Sequence, residues 1–116
     1  LMLVIEPLVP DYVIIDSMLD VTQYKERVAE LCVKYGIRRL EFFGSVLSPD
    51  FDEESDIDCL IEFSSDAGNH FDRYFDLKYE LESIFGREVD LVVDSAIKNP
   101  YFRQAVDSSR KLIYAA

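Results

Sequence analysis

The sequence predicts one α/β (α+β) domain, and three observations lead to that prediction. Apolar residues recur at three- and four-residue intervals in two separate segments, as they do along amphipathic helices. Short runs of aliphatic and aromatic residues stand between and after those segments, as strands do. The chain has 116 residues, of which 49% are hydrophobic, which is enough for one modest core.

The elements follow in a regular order after an N-terminal arm. Residues 1–20 hold two short apolar runs separated by Pro7 and Pro10, so we assign them to an arm and the domain to residues 21–116. The predicted elements are a helix from Asp20 to Gly36, strands over 38–44 and 57–63, a helix over 69–85, a strand over 88–94, and a helix from Asn99 to about Arg110. The final KLIYAA is either an edge strand or a frayed tail. We expect the Tyr and Phe residues of 71–85 to face the core.

Charge and composition narrow the classes of partner. The chain has 23 acidic and 12 basic residues, a formal charge of −11, which disfavours direct binding of nucleic acid because that needs clustered Lys and Arg. A small nucleotide can still bind through a divalent metal and backbone N–H groups. The sequence predicts no membrane span and no signal peptide, so the expected compartment is the cytoplasm. Cys32 and Cys59 are expected to be buried thiols.

The pair Gly44-Ser45 follows the first predicted strand, where a helical turn can begin. Free N–H groups at such a start favour an anion, glycine permits close approach of the backbone, and the serine hydroxyl adds a donor. The same pair after a strand is also a common turn. Both interpretations are open from these two residues alone.

Asp56 and Asp58 stand two residues apart at the start of the second predicted strand. Alternation along a strand places both carboxylates on one face, about 7 Å apart along the backbone. Hard cations such as Mg²⁺ bind through one or two carboxylates plus substrate phosphates. A solvated strand end is the other interpretation.

Asp90 interrupts the apolar run of the third predicted strand, which we take to be an interior strand. A carboxylate there costs several kcal/mol unless it is paired or bound to metal. One interpretation pairs Asp90 with Arg87 or with a backbone N–H. The other places the third strand beside the second, so that Asp90 joins Asp56 and Asp58 in a three-carboxylate cluster.

Taken together, three motifs resemble those of the minimal nucleotidyltransferase (MNT) family of the DNA polymerase β superfamily. They are Gly44-Ser45, the segment Ser55-Asp56-Ile57-Asp58, and Val89-Asp90-Leu91 after an intervening helix. The resemblance extends over about residues 24–115. It implies a small mixed β-sheet flanked by helices, the polymerase β-like nucleotidyltransferase fold. It also implies an enzyme that transfers a nucleoside monophosphate from a nucleoside triphosphate to a hydroxyl.

The resemblance further implies a role for each site residue. The catalytic and metal-binding residues would be the three aspartates, Asp56, Asp58 and Asp90, which together would hold two Mg²⁺ ions. Asp90 would also help to deprotonate the attacking hydroxyl. Gly44 and Ser45 would hold the β- and γ-phosphates of ATP.

Two serines complete the comparison with the family. Many members follow the Gly-Ser pair with Ala-Arg-Gly, whereas this chain has Ser48 in the place of the arginine. A cationic contact is therefore missing, and weakened catalysis is an open question. Ser55 is assigned to the nucleotide site, with a brace of the preceding acidic loop as its alternative role.

Two functions follow from the resemblance. In the first, the protein transfers AMP from ATP to a hydroxyl acceptor, a tyrosine of a HEPN toxin partner, as does the antitoxin of HEPN/MNT toxin–antitoxin pairs that chains this short resemble. In the second, it is a non-catalytic binding antitoxin with a weakened nucleotide site. The sequence leaves open whether the protein forms a homo-oligomer.

Overall fold

Three helices and four strands make up the part of the chain that the computed structural model describes, residues 21–65 and 68–116. In chain order they are α1 Val21–Lys34, β1 Ile37–Phe43, a 3₁₀ turn Gly44–Leu47, β2 Ile57–Phe63, α2 His70–Phe85, β3 Val89–Val93, a 3₁₀ turn Asp94–Ala96, α3 Pro100–Asp107 and β4 Arg110–Ala115. The predicted arm of residues 1–20, with the helix start at Asp20, lies outside the described residues. The domain boundary therefore stays a prediction.

The four strands form one mixed sheet in the order β3-β2-β1-β4. β1 pairs antiparallel with β2 and with β4, whereas β2 pairs parallel with β3. A parallel pair needs a long crossover connection, and α2 supplies it. The predicted small mixed sheet flanked by helices is confirmed. No helix within the described ranges is long and apolar enough to cross a membrane.

The main core lies between one face of the sheet and the helices α1 and α2. Its fully buried members include Val28 of α1, Phe42 of β1, Ile57 of β2 and Leu77 of α2. Each buried aliphatic or aromatic side chain of this kind contributes about 1.5–3 kcal/mol relative to an exposed one. This face carries the packing that holds the strands in register, and it includes the thiol of Cys59.

Helix α3 covers the other face of the sheet. Val106 of α3 is fully buried against Phe43 and Leu60. The predicted start is confirmed, because the Asn99 Oδ1 accepts the first N–H groups of the helix, with Pro100 in its first turn. These contacts hold α3 close to the start of β2.

In the C-terminal segment, the structure corrects one prediction and decides between the two alternatives of another. The last helix ends at Asp107 rather than near Arg110, because Arg110 begins β4 and its guanidinium binds Glu41 through both Glu41 oxygens, at 2.8 and 3.0 Å. Of the two alternatives for KLIYAA, the edge strand is the one observed.

Glu41 is the buried charged residue of the described chain, at 3% exposure. Hydrogen bonds from Arg110, and then from Arg39, hold the pKa of its carboxyl below the ordinary value despite burial. A buried carboxylate with two guanidinium partners ties β1 to β4. This ion pair is a structural feature of the β1–β4 strand pair.

The prediction that the aromatic residues of α2 face the core is wrong for part of the helix. Leu77, Leu81 and Phe85 occupy the core face, whereas Phe71 is 73% and Tyr79 is 59% exposed. Phe71 and Tyr79 are eight residues apart, so they share a stripe that is rotated away from the leucine stripe. Helical spacing alone does not show which apolar stripe of the helix meets the sheet.

Candidate active site

The two carboxylates of Asp58 and Asp90 lie side by side at one end of the sheet. Asp58 on β2 is paired in register with Asp90 on β3 and with Phe43 on β1. Residues paired directly across strands project to the same face, and neighbouring strands are about 4.8 Å apart. The pairing of β3 beside β2, on which the predicted juxtaposition of Asp58 and Asp90 depended, is therefore observed, and it is parallel.

Asp90 does not lie on an interior strand, as its apolar flanks had suggested. β3 is an outer strand of the described sheet, and the Asp90 side chain is exposed while Val89 and Leu91 are buried. The apolar run reflects one covered face of an outer strand rather than burial on both faces. Asp90 is consequently accessible to a ligand.

The Asp58 carboxyl carries the strongest electrostatic perturbation of the site. Its pKa is raised to about 6, first by burial and then by the charge of Asp90, a hydrogen bond with Asp90 and the charge of Asp56. The Ser45 backbone N–H acts in the opposite sense. Clustered carboxylates with a raised pKa are relieved by a cation or by protonation. Asp58 is thus placed where a metal ion would be stabilised.

The position after β1 requires glycine, Gly44, because its backbone is left-handed and because Asp58 lies very close to it. Its φ is +75°, and a Cβ at this position would lie 2.6 Å from Oδ2 of Asp58. Only glycine combines that φ with such a close approach at little cost. The predicted turn is present as the 3₁₀ turn. Within it, the Ser45 hydroxyl donates to the carbonyl oxygen of Asp56 at 3.4 Å. In this structure the Ser45 N–H faces Asp58, and its role toward phosphate stays a prediction.

Asp56 is exposed and precedes β2, two residues from Asp58. Within residues 21–65 and 68–116, no three His, Cys, Asp or Glu side chains are grouped closely enough to hold a metal ion. The expected cluster is therefore a directly adjacent pair, Asp58 and Asp90, with Asp56 acting on Asp58 through its charge. Oxygen donors of this kind fit a hard cation such as Mg²⁺.

The ion pair of Asp90 with Arg87, one of the two interpretations, is not formed. The Arg87 Nη1 donates to the carbonyl oxygens of Asp52 and Ser55, at 2.8 and 2.9 Å, and the guanidinium stacks over Phe51. The Ser55 Oγ accepts from the Asp52 N–H and donates to its carboxylate. Arg87 and Ser55 thus brace the acidic loop. The prediction that Ser55 contacts the nucleotide stays untested.

Ser48, in the place of the family arginine, ends the 3₁₀ turn. Its N–H donates to the carbonyl oxygen of Ser45 at 2.9 Å, and its Oγ accepts from the Asp50 N–H at 3.0 Å. The last turn contains no basic residue. Ser48 therefore organises the loop and offers no positive charge to a phosphate.

A pocket beside the two aspartates was missed by the sequence analysis. It has a volume of about 370 Å³ and is lined, besides Asp58 and Asp90, by Phe43, Tyr74, Lys78, Leu91, Val92 and Phe102. Tyr74 and Lys78 are four residues apart on α2 and donate to carbonyl oxygens of β3. Their i,i+4 spacing on the crossover helix was the available signal, but the spacing alone does not show that they line the same pocket as Asp90.

The class of protein follows from this fold and site, a mixed sheet with paired carboxylates beside a Gly-Ser turn. The family model described as nucleotidyltransferase domain matches residues 21–113. The chain belongs to this nucleotidyltransferase family, and the family predicted from the motifs is confirmed.

Particular relatives narrow the comparison. A candidate protein adenylyltransferase of Methanocaldococcus jannaschii is 37% identical over 81 residues, which cover 70% of this chain and 79% of the relative. A solved structure of a candidate minimal nucleotidyltransferase is 29% identical, with a TM-score of 0.66, covering 80% of this chain and 92% of that one. A chain from the complex of the tri-AMPylated Shewanella oneidensis HEPN toxin with its MNT antitoxin is 19% identical and shares the fold, with a TM-score of 0.59 and coverage of 83% and 73%.

Proposed function

We propose that the protein transfers AMP from ATP to a protein hydroxyl, a tyrosine of a HEPN-type partner, and so acts as an antitoxin. The observation that carries this proposal is that Asp58 and Asp90 lie side by side and that the backbone of Gly44 closely approaches Asp58. The name of the archaeal relative, a protein adenylyltransferase, supports the reaction class. The AMPylated HEPN toxin in the complex that shares the fold supports the acceptor.

Asp58 and Asp90 would hold Mg²⁺, and Asp56 would join them as a ligand once the cation offsets the repulsion between the carboxylates. Two ions in all would offset phosphate charge and stabilise the attacking and leaving oxygens. In the reaction the acceptor oxygen forms a bond to the α-phosphorus, and the bond from that phosphorus to the bridging oxygen breaks. Pyrophosphate leaves with the electron pair. The exposed Asp90 carboxylate accepts the hydroxyl proton, while the Gly44-Ser45 turn holds the β- and γ-phosphates.

A non-catalytic binding antitoxin is the second candidate, and Ser48 is the observation that favours it. The hydroxyl of Ser48 is used within the loop, where many family members have an arginine that can contact phosphate. In this alternative the protein neutralises its partner by contact alone. Binding of the partner without transfer of AMP distinguishes it from the first proposal.

Incubation with [α-³²P]ATP, Mg²⁺ and a HEPN-type partner tests the first proposal. Label should appear on a partner tyrosine, and Asp58→Asn should abolish it. Asp76→Asn, which changes an exposed aspartate of α2, is the matched control and should transfer normally. Partner binding with no label on any residue would exclude the enzyme and leave the binding antitoxin.

Calorimetry with ATP provides a second test that does not need the partner. Phosphates beside Asp56 and Asp58 meet direct charge repulsion without a cation. ATP should therefore bind in Mg²⁺ and bind weakly in EDTA. Equal affinity in the two conditions would refute the metal-dependent site.

A further inference from the structure

The pocket beside Asp90 lies on one particular side of Asp58. Across the sheet, Asp58 is flanked by the end of β1, which leads into Gly44, and by Asp90 on β3. The Gly44-Ser45 turn and Asp90 are thus on opposite sides of the central carboxylate. The pocket reaches the Asp90 side of Asp58, where it runs along β3 to α2 and α3, and Phe43 at the end of β1 closes it on the other side.

In-line transfer places the leaving group on one side of Asp58 and the attacking hydroxyl on the other. In phosphoryl-type transfer the attacking and leaving oxygens lie roughly in line across the phosphorus. With the leaving pyrophosphate at the Gly44-Ser45 turn, the attacking hydroxyl must approach from the side of Asp90. The acceptor side chain then occupies the pocket, and the walls of the pocket decide which acceptors fit.

Those walls are suited to an aromatic ring. Phe43 and Phe102 meet edge to face, with ring centroids 6.3 Å apart, and Tyr74 of α2 also lines the pocket. Leu91 and Val92 add aliphatic surface, while the carboxylates of Asp58 and Asp90 stand at one end. Aromatic rings prefer edge-to-face or offset contacts with other rings.

We propose that this pocket is the acceptor subsite and that Phe102 selects a phenol, the side chain of tyrosine, over an aliphatic hydroxyl. This inference rests on the proposed function and deepens it. The ring of the acceptor packs against Phe102 and Phe43, so that its hydroxyl reaches Asp90 and gives up its proton there. A serine hydroxyl gains no such contact, since its side chain is too short to reach the aromatic wall while its oxygen attacks.

Steady-state kinetics of the full chain with Mg²⁺, [α-³²P]ATP and N-acetyl-L-tyrosinamide test the subsite. Phe102→Ala should raise KM for this acceptor about 3- to 10-fold, the range typical of one aromatic contact, with kcat nearly unchanged. The dissociation constant of Mg²⁺·α,β-methylene-ATP should stay within about twofold. Phe102→Tyr, which keeps the ring, should restore KM. N-acetyl-L-serinamide should be a poor acceptor for the parent protein, and Phe102→Ala should narrow the difference.

Leu112→Ala is the matched control, because Leu112 is 48% and Phe102 41% exposed but Leu112 lies on β4, at the opposite edge of the sheet. Its kinetics should be those of the parent protein. An unchanged acceptor KM in Phe102→Ala overturns the proposal. Loss of nucleotide affinity with an unchanged acceptor KM also overturns it, because the pocket would then hold the base of ATP. Thermal melts confirm that each variant is folded, and Phe102→Leu replaces Phe102→Ala if that variant is not.

A binding measurement separates this inference from the proposed function if the parent protein transfers nothing. N-acetyl-L-tyrosinamide is titrated into the chain loaded with Mg²⁺·α,β-methylene-ATP and followed by amide NMR. Shifts at Leu91 and Val92 that diminish in Phe102→Ala would keep the subsite while catalysis is rejected. The absence of shifts at these amides would overturn the subsite.

Discussion

Replacing Asp58 by asparagine should stabilise the metal-free protein at neutral pH. The pKa of Asp58 rises from 3.8 to about 6 in the folded chain, first through burial and then through Asp90. The folded protein therefore holds this proton more tightly than the unfolded chain does. Stability that the protonated carboxyl provides is present below pH 3.8 and is lost as the pH rises through about 6, so the ionised group opposes folding above that range.

The magnitude follows from the size of the pKa change. A rise of roughly two pH units corresponds to about 3 kcal/mol. Asp58 is partly exposed to solvent, and solvent screening reduces this value, so we expect Asp58→Asn to add about 1–2 kcal/mol to the free energy of unfolding near pH 7.5. For a domain of this size that gain raises Tm by about 4–10 °C.

Thermal melts by circular dichroism in EDTA measure the effect. The difference in Tm between Asp58→Asn and the parent protein should be large near pH 7.5 and should shrink toward pH 4. Mg²⁺ should raise Tm of the parent protein and leave Asp58→Asn almost unchanged, because the metal relieves the same repulsion. Asp76→Asn, on the exposed side of α2, controls for the loss of one negative charge. A lower Tm for Asp58→Asn in EDTA would show that the carboxylate stabilises the fold and would refute this reasoning.

Three further substitutions test other parts of the structure. Gly44→Ala should lower the free energy of unfolding by about 1–2 kcal/mol in a thermal melt and reduce AMP transfer by on the order of 10²-fold. The reason is that φ is +75° and the new Cβ would lie 2.6 Å from the Asp58 oxygen. Normal transfer would show that the close approach of Gly44 to Asp58 is dispensable. Glu41→Gln should lower the free energy of unfolding by about 2 kcal/mol at neutral pH, because Arg110 loses a charged partner. In thermal melts this deficit should fade at acid pH, where Glu41 of the parent protein becomes protonated. A deficit that does not change with pH would contradict the lowered pKa of Glu41. Asp90→Asn should reduce transfer by on the order of 10² or more with metal-free stability level or raised, whereas a large loss of stability with transfer retained would make Asp90 structural.

Local residue chemistry was enough to place most elements of the domain. The strand over 57–63 and the helix over 69–85 agree with β2 and α2 almost residue for residue, because alternation and helical spacing are properties of neighbouring residues. Asn99-Pro100 likewise predicted the start of α3, since a cap uses side chain and backbone within one turn. The end of that helix was missed, because it depends on pairing of Arg110 with distant residues of β1.

In the candidate site, too, local features were predictable from the sequence and contacts between distant segments were not. Asp56 and Asp58 could be recognised from their two-residue spacing at the start of one strand, and the motifs around Gly44 and Asp90 predicted the family. Their juxtaposition could not be read from periodicity, because it depends on which strands become neighbours. The aromatic pocket, formed in part by Tyr74 and Phe102, was missed for that reason.

The sequence by itself determined which residue types carry the chemistry and on which elements they lie, since both are encoded within a few neighbouring residues. Only the tertiary structure decided that β2 and β3 pair in parallel with Asp58 opposite Asp90, that β3 is an outer strand, and that Arg87 turns to the acidic loop. The physical reason is that strand order and side-chain partners depend on contacts between segments far apart in the chain. Such contacts are chosen by the packing of the whole core rather than by local propensity.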